Sequence, residues 1–452
     1  MPNNENQSFF EKLNQWIRSS ITIKLVSIGI LILLLLIPTA MVTSLVTERQ
    51  ITSQSAVEEV SSKWGNAQTI TGPILSVPYK KYYKKDNEII EETEYAHFLP
   101  EDLKITGTIA PEKRYRGIYE VVVYNAKLNV KGKINAPDFS EFAVEQKNII
   151  WKDAIVSLGI TDMRGINDNI HLKWNSSDLK FGPGIGHKDI SEAGVSARLN
   201  ATDSLSQKDK SYSFSFDLNI NGSRQLYFIP LGMETNVELS SSWSEPSFDG
   251  AFLPKEHTIS ANGFTSKWKV LELNRNYPQK WTGAAYQVGE SAFGVNLIVP
   301  VDHYDKSYRS AKYAILIITL TFMVFFFVEI LNKQRIHPFQ YILVGLAVCI
   351  FYSLLIAISE HLNFNWAYIV SAIAVIAAIT LYSRSIFGKK ILTVVLSLIL
   401  LAIYIFIFTI IQLQDYALLM GSIGLFIVLI TVMYLSRKIN WYSSNAIDRN
   451  KE

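Results

Sequence analysis

The sequence predicts an integral membrane protein. Six α-helical transmembrane segments, one N-terminal and five C-terminal, accompany a large β-rich, antiparallel, sandwich-like extracytoplasmic domain. Three observations carry that prediction. Apolar residues, 49% of the 452, gather into long runs near the length of about 20 residues that a helix needs to cross the hydrocarbon core. The stretch between the first run and the rest alternates apolar with polar residues, the signature of half-buried strands. Lys and Arg occupy alternate connections of the C-terminal runs, which orients the helices.

The chain divides as follows. Residues 1–22 form a cytoplasmic segment carrying Lys12 and Arg18, and Lys24 follows at the start of the anchor. Residues 23–46 form an anchor around Leu25–Val46, "LVSIGILILLLLIPTAMVTSLV". A cleaved signal peptide is the competing reading, but the run is too long and no small-x-small site follows it. Residues 47–310 form the extracytoplasmic domain. Its first part, "TERQITSQSAVEEVSSKW", places Ile51, Val57, Val60 and Trp64 near helical spacing, so a helix continues beyond the anchor. Then "SYSFSFDLNI" puts Tyr212, Phe214, Phe216, Leu218 and Ile220 on one face of a strand, and Asn-Gly at 221–222 and 262–263 predicts hairpin turns.

Residues 311–436 form a five-helix bundle, with spans near 313–330, 341–358, 366–382, 391–411 and 416–435. Short connections make neighbours antiparallel. Lys333 and Arg335, then Arg384, Lys389 and Lys390, then Arg437 and Lys438 mark one side, whereas "SEHLNFN" and "QLQDY" hold no Lys or Arg. This places both termini, including the tail 437–452, in the cytoplasm. Lys306, Arg309 and Lys312 oppose it, but they end a long translocated domain, where the charge rule is weak.

Composition excludes several functions. Net charge is +3, without the dense basic face that nucleic acid requires. A single cysteine, Cys349, rules out an internal disulfide and a cysteine-based metal site. No pair of the seven histidines has the spacing of a zinc-peptidase helix, and no serine sits in a G-x-S-x-G elbow. "FGPGIGHKD" (181–189) lacks the Lys-Ser/Thr of a phosphate loop and is read as a turn. "DHYDKSYR" (302–309) has the residues for a cation but is read as a polar interfacial neck. No cofactor or catalytic residue is expected.

Polar groups at membrane depth are costly and mark functional candidates. They are Glu329, His337, Glu360 and His361. Glu329 has Lys333 four residues on, as in an ordinary helical ion pair. His337-Pro338 suits a helix start, with Pro at the first helical position. The competing reading makes Glu329 and His337 a proton-responsive pair. Glu360 and His361 lie across the membrane from them, since 24 residues rise about 36 Å. Between them the third helix offers only Cys349, Tyr352 and Ser353, which argues against an ion-coupled transporter. Ala374 and Ala378 suit helix packing.

Seven stretches together resemble the CreD family of bacterial inner-membrane proteins: "TGPILSVPY" (71–79), "DGAFLP" (249–254), "GFTSKW" (263–268), "FGVNLIVPVDHY" (293–304), "RSAKYAILIITLTF" (309–322), "HPFQYILVGLA" (337–347) and "SEHLNFNWAY" (359–368). The loop around 180–210 has no counterpart. The resemblance implies a role in cell-envelope integrity or envelope stress in the inner membrane, and it implies no reaction. The expected partners are the lipid bilayer and a periplasmic protein or envelope polymer; oligomeric state is left open. The alternative function is a channel or carrier for a lipid or apolar solute, with a membrane enzyme third.

Overall fold

The protein was analysed as a computed structural model that describes residues 21–85, 88–199, 205, 210–297, 302–332, 334, 336–413, 416–437 and 439. The chain forms two compact units. One comprises residues 1–52 and 301–452, the other residues 53–300.

In the first unit, six helices among the described residues are long and apolar enough to cross a membrane. They are α1 (Ile21–Trp64, which runs on into the second unit), α3 (Ala314–Leu331), α4 (Pro338–Ser359), α5 (Phe364–Phe387), α6 (Lys390–Gln412) and α7 (Ala417–Ser436). The segment read as a polar neck is a helix of its own, α2 (Asp302–Lys312). The helices start where capping chemistry allows. His337 is the N-cap of α4: its Nδ1 accepts the Phe339 N–H at 3.2 Å, and the Gln340 side chain accepts the His337 N–H. Asn363 caps α5 in the same way, and Gly388 ends α5 in the left-handed conformation at φ 63°. At Gly424 of α7 an added Cβ would meet the ring of Phe406, so a small residue lets α6 and α7 approach.

The second unit has seventeen strands among its described residues. In chain order they are β1 (Gln68–Lys85), β2 (Glu88–Phe98), β3 (Asp102–Arg116), β4 (Tyr119–Asn135), β5 (Ile155–Ile160), β6 (His171–Trp174), β7 (Ser177–Lys180), β8 (Gly182–Pro183), β9 (Gly194–Arg198), β10 (Ser211–Ser223), β11 (Gln225–Phe228), β12 (Glu234–Ser241), β13 (Pro246–Gly250), β14 (Glu256–Ser260), β15 (Gly263–Leu271), β16 (Lys280–Thr282) and β17 (Phe293–Leu297). A nine-stranded sheet runs β13-β17-β11-β1-β5-β9-β8, with β2 added beside β1 and β16 beside β2. An eight-stranded sheet runs β14-β15-β12-β3-β4-β10-β6-β7.

The two sheets share one core. Ile70, Val156 and Phe228 from the first meet Leu103, Leu128 and Phe216 from the second in a single buried cluster. Tyr212, Phe214, Phe216, Leu218 and Ile220 of β10 are all buried, as their alternation demands.

Two expectations are corrected. The sheets are mixed rather than antiparallel, because β1 pairs with β11, and β12 with β3, in parallel. Asn221-Gly222 is not a turn either. Both residues lie inside β10, opposite Asn125 and Tyr124 of β4. A Cβ at Gly222 would strike the Tyr124 ring, so glycine there serves packing, and the chain turns instead at Arg224, φ 64°. At 262–263 the hairpin exists, with Ala261-Asn262 as its loop between β14 and β15 and Gly263 beginning the strand at φ 128°.

Candidate functional site

Two polar junctions lie near the ends of the membrane helices. Glu329, near the C-terminus of α3, is 3% exposed. Its Oε1 accepts Lys24 Nζ of α1 at 2.6 Å, and its Oε2 accepts the Tyr341 hydroxyl of α4 at 3.0 Å. The Ile336 N–H points at Oε1 from 3.4 Å. The His337-Pro338 helix start makes this possible, because it sets Tyr341 one turn into α4. A buried carboxylate is tolerable only when paired and hydrogen-bonded, and here both oxygens are engaged.

The second junction is Glu360, the C-cap of α4. Its Oε1 accepts the Tyr304 hydroxyl of α2 at 3.2 Å and stands 3.8 Å from Arg49 Nε of α1. Lys24 and Arg49 are 25 positions apart on one helix, a rise of about 37 Å. That matches the hydrocarbon core plus part of each headgroup layer. Helix α1 therefore meets the bundle through one ion pair near each end of its apolar run, the buried Lys24–Glu329 pair being the closer of the two.

The other predicted residues fall outside these contacts. His337 and His361 are exposed. Among the described residues no hydrogen bond or ion pair joins Glu329 to His337. Lys333, the partner expected for Glu329, lies outside the described residues, as do the side chains of Asp302 and His303. Arg49 and Tyr304 have no place in the sequence reading; Lys24 enters it only as a basic charge flanking the first helix, and Tyr341 only as an interfacial ring at a helix end. Lys24 and Arg49 carry a signal, since each stands at one end of the first apolar run.

Between the two junctions the described bundle core holds no charged side chain. Its polar groups are hydroxyls and the Cys349 thiol, which lies 3.9 Å from Thr39 Oγ1. Tyr368 donates to the Tyr404 carbonyl at 2.9 Å, and the hydroxyls of Tyr352 and Tyr404 are buried without partners. All three rings pack around Phe351, with centroids 4.9, 5.2 and 4.9 Å away.

The second unit offers two further sites. The outward face of the eight-stranded sheet forms an open hollow of about 740 Å³, lined by Thr, Asn, Asp, Glu, Lys and Ser together with Gly107, Leu128, Leu218 and Leu239. Its side chains hold one another in place. Asn129 donates to Asp217 at 2.8 Å, Asn125 to Asn219 at 2.7 Å, and Asn219 to Asp168 at 2.6 Å.

The other site is a cluster under the nine-stranded sheet. Ser76 of β1 lies opposite His97 of β2. The glycine-rich segment read as a turn brings His187 and Asp189 to them, with Gly184 and Gly186 at φ 93° and 84°, a conformation open to glycine at little cost. Ser76 Oγ is 2.9 Å from His97 Nδ1 and 2.8 Å from His187 Nε2. Asp189 Oδ2 is 3.0 Å from His97 Nε2 and 3.8 Å from His187 Nδ1. Burial, helped by His97, pushes the His187 pKa down to about 4, and the His97 hydrogen bond holds the Asp189 carboxyl below its usual range. The order Asp–His–Ser is that of an acyl-transfer relay, but Ser76 is 0% exposed and its Oγ lies between two imidazoles.

Similarity to known proteins agrees with the architecture. A family model described as "Inner membrane protein CreD" matches residues 20–442. A protein of Escherichia coli (strain K12) with that same description is 30% identical over 433 residues, covering 94% of this chain and 95% of that protein.

Proposed function

This chain belongs to the CreD family of inner membrane proteins, and on that premise we propose that it supports cell-envelope integrity without catalysing a reaction. Its β unit faces away from the cytoplasm and binds a hydroxyl- and amide-rich envelope polymer. The ion pairs Lys24–Glu329 and Arg49–Glu360, which join α1 to the bundle, support an anchoring role for the membrane unit. The alternation of Lys and Arg among the helix connections supports cytoplasmic termini.

The observation that carries the reading is the hollowed outward face of the eight-stranded sheet. A surface meant only for water does not need its Asn and Asp side chains ordered by mutual hydrogen bonds, because fixing rotamers costs entropy. Pre-ordered donors and acceptors lower the cost of binding instead. The non-enzymatic reading rests on the burial of Ser76 in the one Asp–His–Ser relay found among the described residues.

Sedimentation of the detergent-solubilised protein with purified peptidoglycan sacculi tests the reading. Asn129→Ala with Asp217→Ala removes one rung of the face while leaving the core intact. The pair is expected to lower apparent affinity about tenfold, the loss of one net hydrogen bond to the polymer. A full-length protein that fails to sediment with sacculi, or a double variant that sediments as well as the parent, refutes the proposal.

A further inference from the structure

We propose that His97 Nε2, His187 Nδ1 and Asp189 Oδ2 bind a divalent transition-metal ion of the zinc class, with a water completing the tetrahedron. The site fastens the segment Gly184–Gly194 to strands β1 and β2. It is independent of the sheet face discussed above.

The geometry points there in three ways. First, each residue offers one ligand atom, and the three atoms lie within 4.8 Å of one another. A tetrahedral zinc with bonds of 2.0–2.1 Å to nitrogen and a similar length to oxygen separates its ligand atoms by about 3.3 Å. Two of the separations, 3.0 and 3.8 Å, straddle that value. Asp189 is the least enclosed ligand, with its side chain 26% exposed, so a small rotation of it evens them. It also leaves an open side for water.

Second, the far nitrogens are already oriented. His97 Nδ1 and His187 Nε2 both point at Ser76 Oγ. If both carry protons, the serine oxygen accepts two N–H bonds with its two lone pairs. That assignment leaves the near nitrogens, His97 Nε2 and His187 Nδ1, as lone pairs aimed toward the Asp189 carboxylate. Metal-bound histidines are held in this way, the remote N–H fixed by a second partner.

Third, His187 Nδ1 is buried without a hydrogen-bond partner, on a side chain only 3% exposed. A buried acceptor facing a carboxylate 3.8 Å away is unfavourable unless a cation stands between them. A proton on His97 Nε2 answers the Asp189–His97 contact, but it leaves His187 Nδ1 unanswered; a metal ion answers both. Two imidazoles and one carboxylate suit Zn²⁺ over Ca²⁺ or Mg²⁺, which favour oxygen ligands. Half-buried Tyr95 and buried Trp281 flank the imidazoles, with ring centroids 4.9 Å from His187 and 5.6 Å from His97 respectively.

The test uses untagged full-length protein in detergent, stripped with a chelator, then titrated with Zn²⁺ and separately with Co²⁺. The expected result is one Zn²⁺ per chain, a rise in the unfolding temperature, and the visible absorption of four-coordinate Co²⁺. Ser76→Ala, which touches only the remote nitrogens, should keep the stoichiometry and weaken affinity about 10–100-fold. Asp189→Asn keeps the shape of a partly exposed side chain and should lose more affinity than that, together with the Co²⁺ spectrum. Stoichiometry near zero in the parent protein overturns the assignment. So does Zn²⁺ uptake that Asp189→Asn leaves unchanged, which would trace the binding to histidines elsewhere.

Discussion

Lys24→Met is expected to destabilise the membrane unit by about 3–5 kcal/mol, the cost of removing one partner from a buried ion pair. Glu329 is left 3% exposed with, among the described residues, the Tyr341 hydroxyl and a long contact to the Ile336 N–H. The reverse change costs less. After Glu329→Gln the lysine, already 31% exposed, can extend its stem and carry its charge to the interface, while glutamine still accepts from Tyr341. The double change Lys24→Met with Glu329→Met should recover most of the loss, because a buried pair replaced by apolar groups is often near neutral. Arg49→Met at the far end is the internal control. Arg49 is 46% exposed and 3.8 Å from its carboxylate, so about 0–1 kcal/mol is expected. Unfolding in mixed micelles, followed by near-ultraviolet circular dichroism as SDS is added, measures all four. Equal losses for Lys24→Met and Arg49→Met would show that burial of Glu329 does not set the energetics.

How far this arrangement was legible from sequence depends on the range of the interaction. The helices were legible because bilayer thickness imposes a length on each apolar run. The start of α4 was legible because His-Pro-x-Gln capping is local. The partner of Glu329 was not, because Lys24 lies 305 positions away and a search along one helix face finds Lys333 first. The same divide runs through the β unit. Alternation within β10 foretold its buried face, but not the parallel pairing of β1 with β11, which joins residues about 68–70 to 226–228. Asn-Gly at 221–222 was misleading because glycine has two uses, conformational freedom and absence of bulk, and Tyr124 requires the second. The His97–His187–Asp189 cluster was hidden for a related reason. Its members come from a strand and a distant loop, so no spacing rule finds them, and the glycines at 184 and 186 were the sole local sign that this loop bends to deliver something.

Trp268→Ala is expected to cost the β unit about 3–5 kcal/mol, as for other fully buried large aromatics cut to alanine. The residue closes "GFTSKW" and stands on β15 of the eight-stranded sheet. It is 2% exposed, yet its ring packs on Phe248 of β13 and Phe293 of β17, with centroids 5.6 and 5.7 Å away, both in the opposite sheet. Its Nε1–H donates to the Phe252 carbonyl at 3.2 Å, in the loop between β13 and β14. Alanine would therefore open a cavity between the sheets and strand a carbonyl at once. Trp268→Phe separates the two effects, since it keeps most of the volume and loses only the donor, at about 1–3 kcal/mol. Trp243, half-buried, with its Nε1–H on the nearby Glu245 carbonyl, supplies the contrast, and Trp243→Ala should cost less than half as much as Trp268→Ala. At about 2–4 °C per kcal/mol for a unit of this size, Trp268→Ala should lower the unfolding temperature of the β unit by roughly 10 °C. A shift no larger than that of Trp243→Ala would mean that the sheets are held at this edge by their strand connections, and that Trp268 merely fills the space they leave.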